Sequence, residues 1–300
     1  MSSEPKVQNV LSLFDGIGGA RLALDGAKIS FEEYYASEID KNAIKVAMDN
    51  FPDIIQLGDI KNWREWELDG IDLIVGGSPC QGFSLNGKKL NFDDPKSKLF
   101  FEFVEIVNHY KPKYFLLENV KMRKDIQEAI SEILGVEPIL INSGLVSAQN
   151  RERLYWTNIP NISQPIDEGI FLTDVIDFSL NESEFIGGEL EEYFEHKEGK
   201  MTSRGLCHIG TAKLNGMDSI KRVYHIDGKS PTLQTSTGGN RESKIAIGID
   251  SWRKLTPLEY ERLQTFSDNY TQGIPKTQRY NVLGNGFTVK VIQHIFESIQ

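Results

Sequence analysis

Short apolar runs alternate with amphipathic stretches over the first 160 residues, and this alternation constrains the fold more than any other feature of the sequence. The predicted strands are Val10–Phe14, Tyr34–Glu38, Ile54–Leu57, Leu73–Gly76, Tyr114–Leu117, Val136–Ile141 and Leu154–Trp156. The predicted helices are Gly19–Gly26, Lys41–Phe51, Ser97–Tyr110 and Lys121–Leu134. Strands and helices in turn are typical of an α/β fold, in which helices cover both faces of a parallel sheet. Ligands bind such sheets beyond the carboxyl ends of the strands, so the residues that follow each strand are the candidates for function.

The alternation weakens after Pro160, and the rest of the chain divides into two parts. Residues 161–252 are polar and rich in turns, which predicts a smaller, loop-rich second domain. Helical signals return at Thr256–Glu259, where a capping threonine is followed by a proline and, three residues on, by a glutamate. We therefore predict a first domain over residues 1–160 and a return segment over residues 253–300 that completes it.

Charge is unevenly distributed along the chain. The net charge of −10 argues against a nucleic-acid partner, but residues 161–198 alone carry 11 acidic side chains and 1 basic one. Residues 199–300 carry 14 basic and 8 acidic side chains. Because binding to a polyanion depends on local charge, the basic C-terminal third keeps DNA or RNA among the compatible partners.

Composition argues against several other classes of protein. The two cysteines, Cys80 and Cys207, are too few for a disulfide scaffold or a four-cysteine zinc site. The five histidines show no metal-ligand spacing, so we expect no metal. No apolar run approaches the ~18 residues that cross a bilayer, so we expect no membrane association. A reducing cytoplasm is the expected compartment.

A glycine-rich turn follows the first predicted strand, in the segment Phe14-Asp15-Gly16-Ile17-Gly18-Gly19. Such a turn lets the backbone approach a ligand, although a purely structural turn is equally common. Glu38 ends the second strand, at a place where a carboxylate can accept hydrogen bonds from ribose hydroxyls. Arg21 replaces the third glycine of the dinucleotide motif, so a nucleoside cofactor without a pyrophosphate, such as S-adenosylmethionine, fits better. Asp59, after the third strand, either accepts from an adenine amino group or caps a helix.

Cys80 is the sharpest local feature of the sequence. It follows the fourth predicted strand within Gly76–Ser84, where glycines, a proline and polar residues flank it. A buried structural cysteine is the alternative, but this edge of the sheet favours a nucleophilic thiolate. Glu118 directly follows the apolar fifth strand and is either a helix cap or a half-buried acid. The local pattern alone favours the cap.

A polar row precedes and enters the seventh predicted strand. Strand alternation predicts that Gln149, Arg151 and Arg153 lie on one side of the segment Ala148–Trp156. They form either a solvated edge or a row of donors for a base and its phosphates.

Six short motifs occur in a fixed order along the chain. They are Phe14-x-Gly16-x-Gly18, Pro79-Cys80-Gln81, Glu118-Asn119-Val120, Gln149-x-Arg151-x-Arg153, Arg253-Lys254-Leu255-Thr256-Pro257-x-Glu259 and Gly284-Asn285-Gly286. In this combination the chain resembles the DNA cytosine carbon-5 methyltransferases from about Val10 to the C-terminus. The match is interrupted at residues 160–250, where that family keeps a variable target-recognition region. Leu99–Phe103 and Tyr155-Trp156 also resemble the vertebrate de novo branch, whereas the long recognition segment resembles bacterial or viral members.

The resemblance implies a Rossmann-like sheet of the S-adenosylmethionine-dependent methyltransferases, with target recognition in the second domain. It also implies transfer of a methyl group from S-adenosylmethionine to carbon-5 of a cytosine that is flipped out of duplex DNA. Cys80 would attack carbon-6 as a thiolate, and Glu118 would act at ring nitrogen-3 as the general acid. Arg153 would bind the base oxygen, and Arg151 and Gln149 of the same row complete the expected catalytic set.

The resemblance also assigns binding residues by position. Those expected to contact the methyl donor are Phe14, Asp15, Gly16, Gly18, Glu38, Ile39, Asp59, Ile60, Pro79, Leu99 and Asn285. Those expected to contact DNA are Gln81, Ser84, Asn86, Lys88, Lys89, Gln234, Asn240 and Arg241. Ser84, Asn86, Lys88 and Lys89 lie in Gly82–Lys98, which resembles the mobile catalytic loop of the family, although its lysines equally fit plain surface charge. The last three lie in Arg222–Arg241, which offers donors for base edges or forms a solvated turn.

Two alternatives stay open. An RNA-directed relative would use the same chemistry, but that branch replaces the glutamine at position 81 and carries a Cys-Phe-Thr tripeptide that this chain lacks. A catalytically idle DNA-binding accessory protein is disfavoured by the intact Cys80, Glu118, Arg153 and Asn285. As a methyltransferase the chain is expected to act on double-stranded DNA as a monomer, at the nucleoid or, for a viral gene, in the host cytoplasm.

Overall fold

The computed structural model describes residues 7–78, 95–180, 187–193, 202–203, 205–235, 240–247 and 251–299. Its strands are β1 (Asn9–Leu13), β2 (Glu33–Ser37), β3 (Ile55–Gln56), β4 (Ile71–Gly76), β5 (Tyr114–Val120), β6 (Ile139–Asn142), β7 (Glu152–Thr157), β8 (Gly187–Tyr193), β9 (His208–Ala212), β10 (Arg222–Tyr224), β11 (Lys244–Ala246) and β12 (Ser251–Lys254). Its α-helices are α1 (Gly19–Gly26), α2 (Lys41–Asn50), α3 (Pro95–Tyr110), α4 (Lys124–Leu134), α5 (Asp218–Lys221), α6 (Pro257–Leu263), α7 (Lys276–Asn285) and α8 (Val289–Phe296). Short 3₁₀ helices cover Ile60–Glu65, Ser143–Leu145 and Leu172–Asp174.

The chain divides into two compact units, which are described separately. The first unit consists of Met1–Ile141, Glu152–Gln164 and Val289–Gln300, and the second consists of Asn142–Arg151 and Pro165–Thr288. The chain thus rejoins the first unit at Val289, whereas the sequence predicts a return from residue 253 onward.

The first unit is built on a seven-stranded sheet in the order β3-β2-β1-β4-β5-β7-β6. Strands β2, β1, β4 and β5 run parallel, which confirms the predicted α/β fold. Strand β7, however, runs antiparallel to β5, so the sheet is mixed and not parallel throughout. Apolar runs indicate strands but not their direction. Residues 143–151, which link β6 to β7, are fewer than the dozen or so that a crossover between parallel neighbours needs.

Aromatic and branched side chains form the core of the first unit. Phe100 and Phe103 of α3 pack with Ile74 of β4, Leu117 of β5 and Trp156 of β7. The last residue of β4 is Gly76, where an added Cβ would lie 2.9 Å from the Phe103 ring. The helix therefore packs directly on the end of β4 and fixes the point from which the chain continues toward Cys80.

The contacts of Arg21 explain how this fold accommodates a large residue at the third glycine position of the dinucleotide motif. Its guanidinium carbon lies 4.7 Å from the ring centre of Phe31 and 4.8 Å from that of Phe51. The same group pairs with Asp53 at 3.1 Å and with Asp25. The segments that follow α1 and α2 thus hold this side chain through stacking and charge.

The second unit contains a closed barrel in the order β10-β11-β12-β8-β9. Its core includes Ala212, Val223 and Trp252. After the barrel, α6 begins with the predicted capping box, because Thr256 accepts from the Glu259 amide and the Glu259 side chain accepts from the Thr256 amide. This confirms the helix start predicted from the sequence. In the part of the chain that is described, no helix is both long and apolar enough to span a membrane.

Candidate active site

The glycine turn between β1 and α1 adopts a left-handed backbone at three positions. Phe14, Gly16 and Gly18 have φ angles of 58°, 63° and 77°. Glycine adopts this conformation without strain, which explains why two of the three positions, Gly16 and Gly18, are glycines. A Cβ added to Gly16 would meet no atom within 4 Å, so open space lies beside the turn.

Glu38 ties this turn to the end of β2. Its Oε2 accepts a hydrogen bond from the Gly16 amide at 2.9 Å. Its Oε1 accepts from the amides of Ile39 and Asp40 at 2.7 Å and 2.9 Å. Next to this carboxylate the Ile39 side chain is 70% exposed, which is unusual for a large apolar residue at the end of a buried strand. The expected contact of Glu38 with ribose hydroxyls stays a prediction.

Asp15 has an internal partner that the sequence did not reveal. Its carboxylate accepts from the Tyr34 hydroxyl at 2.7 Å, and both residues are buried. Burial raises the pKa of Asp15 to about 6, which the hydrogen bond from Tyr34 only partly offsets. A tyrosine within the apolar run of β2 was the available signal, because a buried phenol needs a hydrogen-bond partner.

Three further residues of the expected donor site lie in the first unit. Asp59 caps the 3₁₀ helix that begins at Ile60, and its side chain accepts from the Lys61 amide at 3.0 Å. The helix-cap alternative is therefore confirmed, while the contact with adenine stays a prediction. Ile60 is buried, and Leu99 of α3 packs against the core cluster.

Glu118 and Arg153 form an ion pair on one face of the sheet. Arg153 Nε lies 3.0 Å from Glu118 Oε1, and each side chain is 13% exposed. The antiparallel register of β5 and β7 pairs Glu118 with Tyr155, so Arg153 is its diagonal neighbour on the same face. Glu118 lies inside β5, which continues to Val120, so the helix cap favoured by the local pattern is wrong. The half-buried acid was the correct alternative.

Asn119 connects β5 to the segment that leads to the expected nucleophile. Its Nδ2 lies 3.4 Å from both the carbonyl oxygen and the hydroxyl of Ser78. Its Oδ1 accepts from the Val120 amide at 2.8 Å, and the side chain is buried. Beyond Ser78, seven residues of the predicted site lie outside the described residues: Pro79, Cys80, Gln81, Ser84, Asn86, Lys88 and Lys89.

Gln149 and Arg151 belong to the second unit, and both are buried there. They precede β7 instead of lying in it, so the strand alternation that predicted a row with Arg153 does not extend to them. Gln149 Nε2 donates to Gln264 Oε1 at 2.9 Å, and Arg151 donates to the Gly284 and Gly286 carbonyls at 3.1–3.3 Å. Their assignment to the catalytic set stays a prediction, while the contacts observed are with their own unit.

The remaining expected contacts also lie in the second unit. Asn285 is the last residue of α7 and is exposed. Gln234 and Arg241 are exposed and Asn240 is half-buried, with a left-handed φ of 61° at Asn240. These positions are compatible with the predicted contacts but do not test them.

Lys244 is a buried residue of this unit whose role is not evident from the sequence. Its Nζ donates to the carbonyls of Ile220, Asn240 and Glu242 at 2.7 Å, 2.6 Å and 3.0 Å. Desolvation lowers the pKa of Lys244 to about 8. A lysine directly before the apolar residues Ile245 and Ala246 of β11 was the only signal, and it is equally typical of an edge strand. Among the described residues, no group of His, Cys, Asp and Glu side chains is placed to hold a metal ion.

Comparison with known proteins identifies the family. The family described as C-5 cytosine-specific DNA methylase matches residues 8–300. Type II methyltransferase M1.ScrFI of Lactococcus lactis subsp. cremoris is 32% identical over 317 residues, covering 97% of this chain and 77% of that protein. Type II methyltransferase M.NlaX of Neisseria lactamica is 30% identical over 314 residues, covering 97% and 96%. Orphan methyltransferase M.SPRI of Bacillus phage SPR is 26% identical over 425 residues, covering 97% of both.

Solved structures agree with the fold. A DNA modification methyltransferase encoded within an E. coli prophage superposes with a TM-score of 0.68 at 22% identity, covering 97% of this chain and 98% of that one. DNMT2 of Spodoptera frugiperda superposes with a TM-score of 0.67 at 20% identity, covering 97% and 99%. The family that the sequence matches acts on DNA and uses S-adenosylmethionine. The chain belongs to the C-5 cytosine-specific DNA methylases, and its activity is that of a DNA (cytosine-5-)-methyltransferase.

Proposed function

We propose that this chain takes its methyl group from S-adenosylmethionine, held at the carboxyl ends of β1 and β2. The features that fit such a ligand are the open space beside Gly16, the carboxylate of Glu38 and the exposed side chain of Ile39. A ribose needs hydrogen-bond acceptors, and an adenine ring needs an apolar surface, so this set suits a nucleoside. The other donor-binding residues in this proposal are Phe14, Asp15, Gly18, Asp59, Ile60, Pro79, Leu99 and Asn285.

The pair of Glu118 and Arg153 is the observation that carries the catalytic part of the proposal. The Arg153 Nε contact at 3.0 Å fixes the orientation of the Glu118 carboxyl group. An oriented carboxyl group can share a proton with ring nitrogen-3 of a cytosine, and the guanidinium has further donors for the adjacent base oxygen. Both groups come from neighbouring strands, which hold them more rigidly than loops would.

Cys80 supplies the nucleophile in this proposal. Its thiolate forms a bond to carbon-6, the ring double bond shifts its electron pair toward carbon-5, and Glu118 holds a proton at nitrogen-3. S-adenosylmethionine, when bound, supplies a methyl group activated by a positively charged sulfur. Once carbon-5 carries the methyl group, transfer of the carbon-5 proton to water restores the double bond and expels the Cys80 thiolate. Asn119 supports this arrangement because it holds Ser78, two residues before the nucleophile.

The proposed substrate is double-stranded DNA from which the cytosine is flipped into the site, because neither face of a stacked base is open to a thiolate. Gln81, Ser84, Asn86, Lys88 and Lys89 are proposed to contact the DNA near the nucleophile. Base recognition is proposed for Gln234, Asn240 and Arg241, whose side chains offer the donors that base edges accept. We propose that the protein acts as a monomer in the cytoplasm.

A mechanism-based trap tests this proposal. Bisulfite sequencing of plasmid DNA from expressing cells first identifies the modified sequence. A duplex with that sequence and 5-fluorocytosine at the target is then incubated with the protein and S-adenosylmethionine. We expect a covalent complex, because fluorine cannot leave as the carbon-5 proton does.

The two cysteines provide the matched control. Cys80→Ala should abolish the covalent complex, whereas Cys207→Ala, at a buried cysteine of the second unit, should retain it. A wild-type protein that modifies the plasmid but never cross-links to the fluorinated duplex would overturn the covalent mechanism. Cross-linking that persists in Cys80→Ala would place the nucleophile elsewhere.

A further inference from the structure

Two buried glutamines of the second unit have all their side-chain hydrogen-bonding groups engaged. Gln149 is 0% exposed, and its Oε1 accepts from the Leu233 amide at 3.0 Å. Its Nε2 donates to the Leu263 carbonyl at 3.2 Å and to Gln264 Oε1 at 2.9 Å. A buried amide with all its partners in place has one preferred position.

Gln264 continues the same set of hydrogen bonds. It is also 0% exposed, and its Nε2 donates to the carbonyls of Leu283 and Gly286 at 2.7 Å and 3.1 Å. Its Oε1 accepts from the Thr288 hydroxyl at 2.7 Å as well as from Gln149. We call the hydrogen bonds from the Leu233 amide through Gln149 and Gln264 to the Leu283 and Gly286 carbonyls the amide relay.

The two ends of the amide relay lie beside residues with different proposed tasks. Leu233 immediately precedes Gln234, which is proposed to read DNA bases. Leu283 and Gly286 flank Asn285, which is proposed to contact the methyl donor. The backbones at the two ends also touch, because an added Cβ at Gly284 would lie 2.7 Å from the backbone of Gln234 and Thr235. The position of one segment therefore depends on that of the other.

We infer that Gln149 and Gln264 are positioning residues, which set the DNA-reading segment at residues 232–235 and the donor-binding C-terminal end of α7 at residues 284–286 in one fixed arrangement. This inference rests on the proposed function, since it takes the tasks of Gln234 and Asn285 from there. It assigns Gln149 a role through the backbone instead of contact with the base. Both substrates then depend on the same pair of side chains.

Gln264→Met tests the inference, because methionine has a similar length but cannot make the four hydrogen bonds of the amide. We expect the KM values for S-adenosylmethionine and for the duplex both to rise, each by roughly tenfold, with a smaller change in kcat. The control is Tyr280→Phe, which removes a different buried hydrogen bond of this unit, that of the Tyr280 hydroxyl to the Leu255 carbonyl at 2.8 Å. Tyr280→Phe should leave both KM values within about twofold of wild type.

A second pair of variants covers the case in which Gln264→Met does not fold. Thr288→Val removes only the hydroxyl that donates to Gln264, whereas Thr288→Ser keeps it. We expect Thr288→Val to raise both KM values and Thr288→Ser to restore them. A rise in only one KM, or equal values for the valine and serine variants, would overturn the inference. A wild-type protein without turnover of S-adenosylmethionine would instead overturn the proposed function, so the two failures are distinguishable.

Discussion

Several polar side chains of this protein are buried and form hydrogen bonds with partners in the interior. Asp15 illustrates this at the level of a single residue, because it lies next to the glycine turn yet accepts a hydrogen bond from Tyr34 in the interior. A buried carboxyl group is disfavoured in its charged form, which is why its pKa rises to about 6. The glycine turn is therefore attached to a group whose charge depends on pH near neutrality.

Asp15→Asn should change how stability depends on pH. The folded state binds the Asp15 proton more tightly than the unfolded state does, where the pKa is about 3.9. The stabilising effect of this proton is complete below about pH 4 and is lost as the pH rises through about 6. Between about pH 4 and about pH 6, wild type should therefore lose about 2 kcal/mol of its free energy of unfolding through this group. The asparagine variant has no such proton, so it should not show this loss.

Urea denaturation at acid and neutral pH measures this difference. Asp53→Asn is the control, since Asp53 is exposed and pairs with Arg21 at the surface. It should retain the wild-type dependence on pH over this range. An Asp15→Asn curve parallel to that of wild type would contradict the assignment of this titration to Asp15.

At the level of elements, the strands and helices of the first unit could be predicted to within a few residues, because apolar periodicity reports burial directly. Strand direction could not be predicted, and this affected the site. The antiparallel β7 extends the pairing of β5 to Val120, which places Glu118 inside a strand beside Arg153. Gln149 and Gln264 were also beyond prediction from the sequence, because glutamine is typical of surfaces and only tertiary contacts reveal its burial.

Lys244 of β11 makes hydrogen bonds beside Arg241, one of the residues proposed to read DNA. Its ammonium group donates to the carbonyls of Asn240 and Glu242, on either side of Arg241, and so holds the C-terminal end of the proposed reading segment. Lys244→Met retains the length and apolar stem of the side chain but removes these bonds. We expect less discrimination between the cognate duplex and duplexes with one altered base pair, by roughly tenfold in kcat/KM.

Lys213→Met is the matched control for this prediction. Lys213 is exposed and makes a surface ion pair with Glu189 at 3.4 Å, which contributes little to stability. Bisulfite sequencing of plasmid DNA from cells expressing each variant shows which sites are modified. Relaxed site choice in both variants, or in neither, would count against a specific role for Lys244.

At the scale of the whole molecule, charge is separated by element. The net charge of −10 has the sign of DNA itself, yet much of the acidity falls in and around β8, where Glu189, Glu191 and Glu192 are exposed. The residues proposed to read DNA lie in a different part of the same unit, in a region with net positive charge. Overall charge therefore gives little information about partners in a chain of this kind.

Exchange of a whole segment tests where sequence specificity lies. Residues 225–241 would be replaced by the corresponding residues of a relative that modifies a different sequence, which leaves β10 and Lys244 in place. We expect the modified sequence to change while the exchanged protein still transfers methyl groups from S-adenosylmethionine to DNA. The control variant carries Glu189→Gln, Glu191→Gln and Glu192→Gln together and should leave the modified sequence unchanged. An exchanged protein that keeps its original target would contradict the proposal for Gln234, Asn240 and Arg241.

The amide relay has a direction. Each N–H along it points away from Leu233 and toward α7, so the dipoles of the two glutamine side chains add head to tail. Turning either amide by half a rotation would bring oxygen against oxygen at one end and N–H against N–H at the other. A carboxylate in place of either amide would break the same order, so Gln149→Glu and Gln264→Glu should each weaken the binding of both substrates.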